Sequence, residues 1–377
     1  MLDRYIMAIE WGSTSLKMIM ALHTKHGFNI EDVQSIPYKS IKEGVEWTDI
    51  EALGPLLAGA ISRFRKSADG RLESILGVPG YYTGIAENSC KIDIAGSVVG
   101  QEHIYSAIDR CSQYNLPDDW SIMQVLPRLY RLDGQYTNKE PIGIRGHELD
   151  LNSSLICVNQ TFVTQLTDIL VQHGIYIDYI RPTLLSSGSV FLTEAQRFSG
   201  SILIDIGEKS TDIIVYRDRV PIFSEWFPVG GHNITNDISI GLDLPYEEAK
   251  RLKKRCVVGE IPLDSSLEYV KQIAEMRIEE IFQLIKDSIA SSNTVDMEGC
   301  SAVVLGDGIA HIRGVRSFAS NILGCDVKVD KTSDAGLYAL INDHVSKSMS
   351  YQEVEDKSNI QIIKDKIINW VLELFNK

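Results

Sequence analysis

The stretch Leu203–Tyr216, LIDIGEKSTDIIVY, reads as two short apolar strands joined by a polar turn. Ile202-Leu203-Ile204 runs into Asp205, then Gly207, then Glu208-Lys209-Ser210-Thr211-Asp212, and Ile213-Ile214-Val215 leads away. A carboxylate closing an apolar strand, followed by a glycine and hydroxyls, suits holding a phosphate and its metal. The hydroxyls of Ser210 and Thr211 and the turn's N–H groups can face phosphate oxygens. Gly207 lets the backbone come close, and Asp205 can reach Mg2+ directly or through water. Taken alone, a plain hairpin with a polar turn fits the segment better.

A second copy changes the balance. Met7–Met20, MAIEWGSTSLKMIM, has the same order: apolar strand, Glu10, Gly12, the hydroxyls Ser13, Thr14 and Ser15, then another apolar strand. Glu10 corresponds to Asp205 and Gly12 to Gly207 at one constant offset. Similarity over so long an interval indicates two related lobes rather than a stack of short repeats. Two such hairpins, one from each lobe, would grip a single nucleotide between them.

Composition bounds the alternatives. A chain of 377 residues exceeds what one hydrophobic core usually covers, so at least two lobes are expected. Its 44% apolar and 23% charged residues are ordinary for a globular protein. A net charge of −14 argues against a broad nucleic-acid surface, while specific phosphate binding in a cleft stays compatible. Cys90, Cys111, Cys157, Cys256, Cys300 and Cys325 are scattered without a C-x-x-C pair, which fits reduced thiols rather than a disulfide framework or zinc site. No signal peptide or spanning segment is expected, and the chain reads as cytosolic.

Along the chain, strands are expected at Phe28–Ile30, Val33–Tyr38 and Leu72–Val78, with a helix at Trp47–Phe64. Pro79–Ser153 reads either as a compact α+β insertion or as more of the first lobe. Within it lie a helix at Gln101–Tyr114 and strands at Ile122–Leu132 and Glu148–Val158. A helix at Val163–His173 ends at Gly174, followed by a strand at Ile175–Ile180 and a helix at Pro182–Phe198. Gly230-Gly231 before Asn233–Gly241 would let a helix N-terminus approach a phosphate, with a plain loop as the competing reading. Tyr246–Arg255 and Leu267–Ile289 are helices, and Ala302–Leu305 is a strand running into Gly306-Asp307-Gly308. Ser346–Asn359 is polar, as linkers are. Ile360–Phe375 is amphipathic, with Trp370, Val371, Leu374 and Phe375 on its apolar face. Residues 360–377 carry Lys364, Lys366 and Lys377 against Asp365 and Glu373, a contrast with the acidic body that favours a helix lying in a membrane interface over one docked on the protein.

These stretches, in this order, resemble the bacterial cell-division FtsA family, of the actin/Hsp70/sugar-kinase superfold, over nearly the whole chain. EWGSTS is similar to the family's first phosphate loop and DIGEKSTDI to its second. FPVGGHNITNDI resembles the segment that follows, EEAKRLK the helix beside adenosine, VVLGDGIAHIRGV the adenosine loop and DAGLYAL the return segment. VLPRLYRLDGQ with PIGIRGHEL, and the amphipathic terminus, are the most specific matches.

The resemblance implies an α/β, actin-like two-lobed ATPase fold with an α+β insert and a C-terminal amphipathic helix. The first lobe would take residues 1–78, 154–190 and 335–345, and the insert 79–153. The second lobe would take 191–231 and 300–334, its smaller part 232–299, then a linker at 346–359 and the membrane helix at 360–377. ATP and Mg2+ would lie in the cleft. Gly12, Ser13, Thr14, Gly207, Ser210, Thr211, Gly230 and Gly231 would serve phosphate. Glu10, Asp205 and Asp212 would organise metal and water, with Glu10 and Asp205 nearest the metal. Glu248 and Arg251 would contact adenosine, with Gly306 and Gly308 beneath it.

The chain would polymerise on the cytoplasmic face of the cell membrane at the division site. It would bind the C-terminal peptide of the tubulin-like FtsZ, with other division proteins as further partners. Ser15 in place of a lysine, Glu208-Lys209 in place of a glycine pair, and Asp307 and Ile309 among the adenosine glycines imply slow hydrolysis or binding without turnover. A non-polymerising scaffold of the pilus-assembly type and a metabolic kinase of the same superfold are the alternatives.

Overall fold

The computed structural model describes residues 4–37, 59–64, 71–137, 139–259, 267–292 and 299–347. Its first sheet has the order β3-β2-β1-β4-β9 and its second β12-β11-β10-β13-β14. In the first, β1 (Arg4–Trp11) pairs antiparallel with β2 (Ser15–Thr24) and parallel with β4 (Arg71–Val78). In the second, β10 (Ser201–Ile206) pairs antiparallel with β11 (Thr211–Arg217) and parallel with β13 (Ser301–Leu305). β3 (Gly27–Pro37), β9 (Tyr179–Pro182), β12 (Val220–Phe227) and β14 (Asp326–Val329) complete two sheets of identical topology. The repeat read from two short motifs is thus a repeat of whole sheets.

The central strands are nearly continuous apolar runs because both of their faces are covered. Ile202, Leu203, Ile204 and Ile206 are wholly buried, as are Ile6, Ala8 and Ile9. In the second lobe one face packs under α5 (Gly231–Gly241), α7 (Glu268–Ser291) and α8 (Val315–Leu323), where Ile278, Phe282 and Ile285 of α7 lose all contact with water. In the first lobe α2 (Gln160–Gln172) covers one face and the helix at 335–347 the other, the latter through Leu337, Leu340 and Ile341. Asn159 caps α2 by accepting from the Phe162 N–H.

In the chain between β4 and β9, which pair directly, is inserted a third, four-stranded antiparallel sheet, β5-β8-β6-β7, crossed by α1 (Gln101–Ser112). Its strands are β5 (Thr83–Asp93), β6 (Trp120–Leu132), β7 (Gln135–Thr137) and β8 (Glu148–Asn159), and its core is its own: Ile104, Ala107, Leu149 and Leu151. Of the two sequence readings of this stretch, an α+β insertion is the one found.

Four local expectations are corrected. Residues 27–37 form one strand, bulged opposite Met20/Ala21, because a bulge lets the pairing continue past an extra residue. The strand expected from Ile175 starts only at Tyr179 and carries on through Pro182. The helix expected at Pro182–Phe198 is two, α3 (Thr183–Phe191) and α4 (Glu194–Ser199), because Thr193 and Gln196 form a capping box that restarts the helix. Residues 346 and 347 continue the helix at 335–347 instead of beginning a linker. The start of the helix expected at Trp47–Phe64 lies outside the described residues, which show helix at 59–64, and so does the amphipathic stretch 360–377. Among the described residues no helix is long and apolar enough to cross a membrane.

Candidate functional site

The two hairpins meet around one crevice of about 400 Å³. Its walls include Glu10, Gly12, Ser13 and Thr14 from the first turn, and Asp205, Gly207, Ser210 and Asp212 from the second. The turns share one internal bond: Gly12 N–H donates to the Ser15 carbonyl at 3.0 Å, and Gly207 N–H to the Ser210 carbonyl at 2.8 Å. They also touch each other, since the Lys209 N–H donates to Ser13 Oγ at 3.2 Å. Any ligand between the tips must therefore replace a direct bond between lobes.

Cross-strand register explains where the charges lie. Glu10 stands opposite Lys17, and Asp205 stands opposite Asp212. Lys17 and Asp212 hold the same place in the repeat, so one hairpin carries a cation where the other carries a third carboxylate. Lys17 extends to Asp334 at 2.7 Å. Burial opposes its charge, yet Asp334, Glu10 and Asp307 together hold its pKa above the ordinary value.

The carboxylates are poorly compensated. Burial, with Asp205 beside it, pushes Glu10 up to about 7 against the pull of Lys17. Burial also raises Asp205 to about 6, with Lys17 opposing and Asp307 adding to the rise. Asp212 is driven well above its usual range by burial and by Asp205 and Glu10, and its buried Oδ1 has no hydrogen-bond partner. Acidic groups so placed favour a cation between them. Among the described residues no three His, Cys, Asp or Glu side chains converge as a preformed metal cage. The donor set fits an ion such as Mg2+, which keeps several waters and takes further oxygens from phosphate.

The sign of the pH dependence follows. A carboxyl whose folded pKa is raised keeps a proton that the unfolded chain has released, so stability falls as pH climbs from the unfolded value to the folded one. Without nucleotide or divalent cation, the thermal midpoint is expected to fall between about pH 4.5 and 7. After discounting for water in the open crevice, each group contributes about 1–2 kcal/mol. Glu10→Gln and Asp205→Asn should each flatten the slope and raise the midpoint near pH 7.5. Slopes identical to wild type in both variants would show that these groups titrate normally.

The glycines do something other than expected. Gly306 has φ +90°, and a Cβ there would collide with Asp205 Oδ1 and the Ile206 carbonyl. A Cβ on Gly230 would lie 2.6 Å from the Gly207 carbonyl, and one on Gly231 would lie 2.6 Å from Gly308 Cα. Gly308 N–H donates to the Ile206 carbonyl at 2.9 Å, and Gly231 N–H to the Gly207 carbonyl at 2.9 Å. Thus Gly230, Gly231 and Gly308 pack backbone against backbone behind the second turn. They build the wall rather than face the crevice, and of this set Gly207 and Gly306 line it. The helix after Gly230 begins at Gly231, two residues earlier than expected.

Other assignments move. Thr211 is fully buried and donates to the Val229 carbonyl at 2.7 Å, so it points away from the crevice while Ser210 lines it. On α6 (Tyr246–Arg255), Glu248 and Arg251 are exposed, and Lys250 is the residue that borders the crevice. Lys253 from the same helix is buried and donates to the Gly231 carbonyl at 2.7 Å. The Glu208 carboxylate, at the crevice wall, accepts from the Tyr246 hydroxyl at 3.1 Å, which is 2.8 Å from His232 Nδ1.

Two wall residues carried no sequence signal. Trp226 sits opposite Asp212 on β12, and its ring centroid lies 4.6 Å from that of Tyr81 at the root of the insert. Lys250 was legible only as part of a charged helix.

Two family models match the chain: "Cell division protein FtsA" over residues 202–352, and "SHS2 domain inserted in FTSA" over residues 80–157. The cell division protein FtsA of Bacillus subtilis is 27% identical over 88% of this chain and 79% of its own length. That of Escherichia coli is 22% identical over 86% and 84%. Among solved structures, a PilM-PilN type IV pilus biogenesis complex aligns with TM-score 0.59 at 14% identity, covering 91% of this chain and 98% of that one. MreB5 of Spiroplasma citri bound to ADP aligns with TM-score 0.52 at 13% identity, covering 95% and 98%. The architecture is therefore that of the actin-like ATPases carrying an SHS2 insert, and the chain belongs to the FtsA family of cell division proteins.

Proposed function

We propose that this chain binds ATP with Mg2+ between its two hairpins, assembles on the cytoplasmic face of the cell membrane and links FtsZ to it at the division site. The observation that carries the reading is the trio Glu10, Asp205 and Asp212 on matched hairpins around one crevice, under-neutralised until a cation arrives. In this reading Glu10 and Asp205 would hold a Mg2+ ion, which would supply positive charge against the carboxylates and a triphosphate, and Asp212 would help organise water beside it. Ser13, Thr14 and Ser210 donate to phosphate oxygens. Lys17, already tied to Asp334, is not free to act as a second countercharge. Slow hydrolysis is consistent with that restraint.

Self-assembly is assigned to the insert (79–153), whose end exposes Val98, Ile142 and Ile144. Partner docking is assigned to the smaller part of the second lobe (232–299), where Ile240, Tyr269 and Met276 are more than 60% exposed. Solvent-facing apolar groups gathered on one surface favour burial by a partner. Membrane attachment is assigned to residues 360–377 through Trp370, Val371, Leu374 and Phe375.

Co-sedimentation with anionic liposomes in ATP and Mg2+, followed by electron microscopy on lipid monolayers, tests the whole reading. The wild type should pellet and form filaments, and a Trp370→Glu/Phe375→Glu double variant should lose at least tenfold in vesicle affinity. Equal pelleting of both defeats the tether. Membrane binding without filaments favours the pilus-type scaffold.

A further inference from the structure

The six cysteines are scattered in sequence, but the fold brings two of them together inside the insert. Cys90 on β5 and Cys111 in the last turn of α1 have their sulfurs 2.9 Å apart in hydrogen-bonding contact. A formed disulfide spans about 2.05 Å, so little movement separates the pair from a bond. Both thiols are buried, Cys111 completely and Cys90 to within 8%. Cys90 also donates to the Ala107 carbonyl at 3.0 Å.

We propose that Cys90 and Cys111 form a reversible modification site, closing to an intramolecular disulfide when a hydroperoxide reaches Cys111. The Cys111 sulfur attacks the terminal peroxide oxygen. The O–O bond breaks, the alcohol (water, for hydrogen peroxide) departs, and the sulfur is left as a sulfenic acid. The Cys90 sulfur then attacks that sulfur. The S–O bond breaks, the hydroxide takes the Cys90 proton, and a second water leaves. The two thiols lose two electrons and the peroxide gains them.

Three observations support this order. The contact with Cys90 draws the Cys111 thiol down, against burial, with Ser153 helping, while the same contact pushes Cys90 up. An open groove of about 670 Å³ lies at the end of α1, bordered by Ser112, the neighbour of Cys111 in the chain, and by Tyr114, Leu116 and Trp120. Asn88 pins the last helical turn, its side-chain amide donating to the Cys111 carbonyl at 2.8 Å. Terminal turns open more readily than helix interiors. Cys157 and Cys256, buried and with thiols pushed up to about 11 by burial, are not reactive in the same way.

The test is dilute hydrogen peroxide on the full-length chain, followed by intact mass and peptide mapping. Expected is the loss of two hydrogens, a Cys90–Cys111 linked peptide, and full reversal by dithiothreitol. Asn88→Ala should speed closure severalfold. Cys90→Ser should stop at a Cys111 sulfenic acid that dimedone captures. Conditions that oxidise the unfolded chain but leave the folded wild type without this link would overturn the proposal. So would a link between any other pair, and neither result depends on a variant folding.

Discussion

Asp205→Asn is expected to weaken ATP binding in the presence of Mg2+ about 100-fold, and to leave binding without metal equal to wild type or slightly tighter. The opposite directions arise because Asp205 plays two parts. In the proposed reading its carboxylate would hold the cation or its water shell when metal is present, and losing such a group typically costs about 10–100-fold. Without metal it is a charge facing the triphosphate, already disfavoured enough by burial to sit at about 6. Removing it then relieves repulsion. Titration of a fluorescent ATP analogue with Mg2+ and with EDTA measures both arms. Equal losses in the two media would mean that Asp205 serves the fold rather than the ion.

Gly306→Ala is expected to cost about 3 kcal/mol or more and to lower the thermal midpoint by about 5 °C or more. Two independent faults add. The backbone at Gly306 has φ +90°, where an L side chain is strained, and the new methyl runs into Asp205 Oδ1 and the Ile206 carbonyl. The Ile206 carbonyl already accepts from Gly308 N–H, so it cannot withdraw without losing that bond. Alanine at Gly324, also at positive φ (+74°) but with no neighbour within 4 Å, isolates the strain from the collision. Differential scanning fluorimetry compares the three proteins. If Gly306→Ala melts with Gly324→Ala, the crowding around Asp205 is without consequence.

Physical causes separate what was legible from what was not. The paired hairpins were visible because each is a local object: apolar strand, carboxylate, glycine, hydroxyls, apolar strand. Tyr246–Arg255 and the strand ending before Gly306 were equally plain, since charges cluster in the one and apolar residues run unbroken in the other. Thr211 was misplaced because neighbouring strand residues face opposite sides, and one position decided whether a hydroxyl met the crevice or the Val229 carbonyl. The expectation names Glu248 and Arg251 rather than Lys250 for the same reason on a helix, where positions one or two apart look in different directions while 248 and 251 share a face. No local pattern could place Tyr81 against Trp226, Lys17 on Asp334 or Cys90 beside Cys111, because each contact joins elements far apart in the chain.

The sequence by itself determined that there are two related lobes with matched acidic turns, while the α+β nature of 79–153 stayed one of two readings and the actin-like fold rested on resemblance. Strand periodicity, turn chemistry and a constant internal offset need no third dimension to be read. Tertiary structure alone decided which glycines face the crevice and which pack behind it, which side chain of α6 borders it, and that Glu10, Asp205 and Asp212 share it with Lys17, itself paired to Asp334. Those outcomes depend on burial and on distances between segments brought together only when the sheets close on one another.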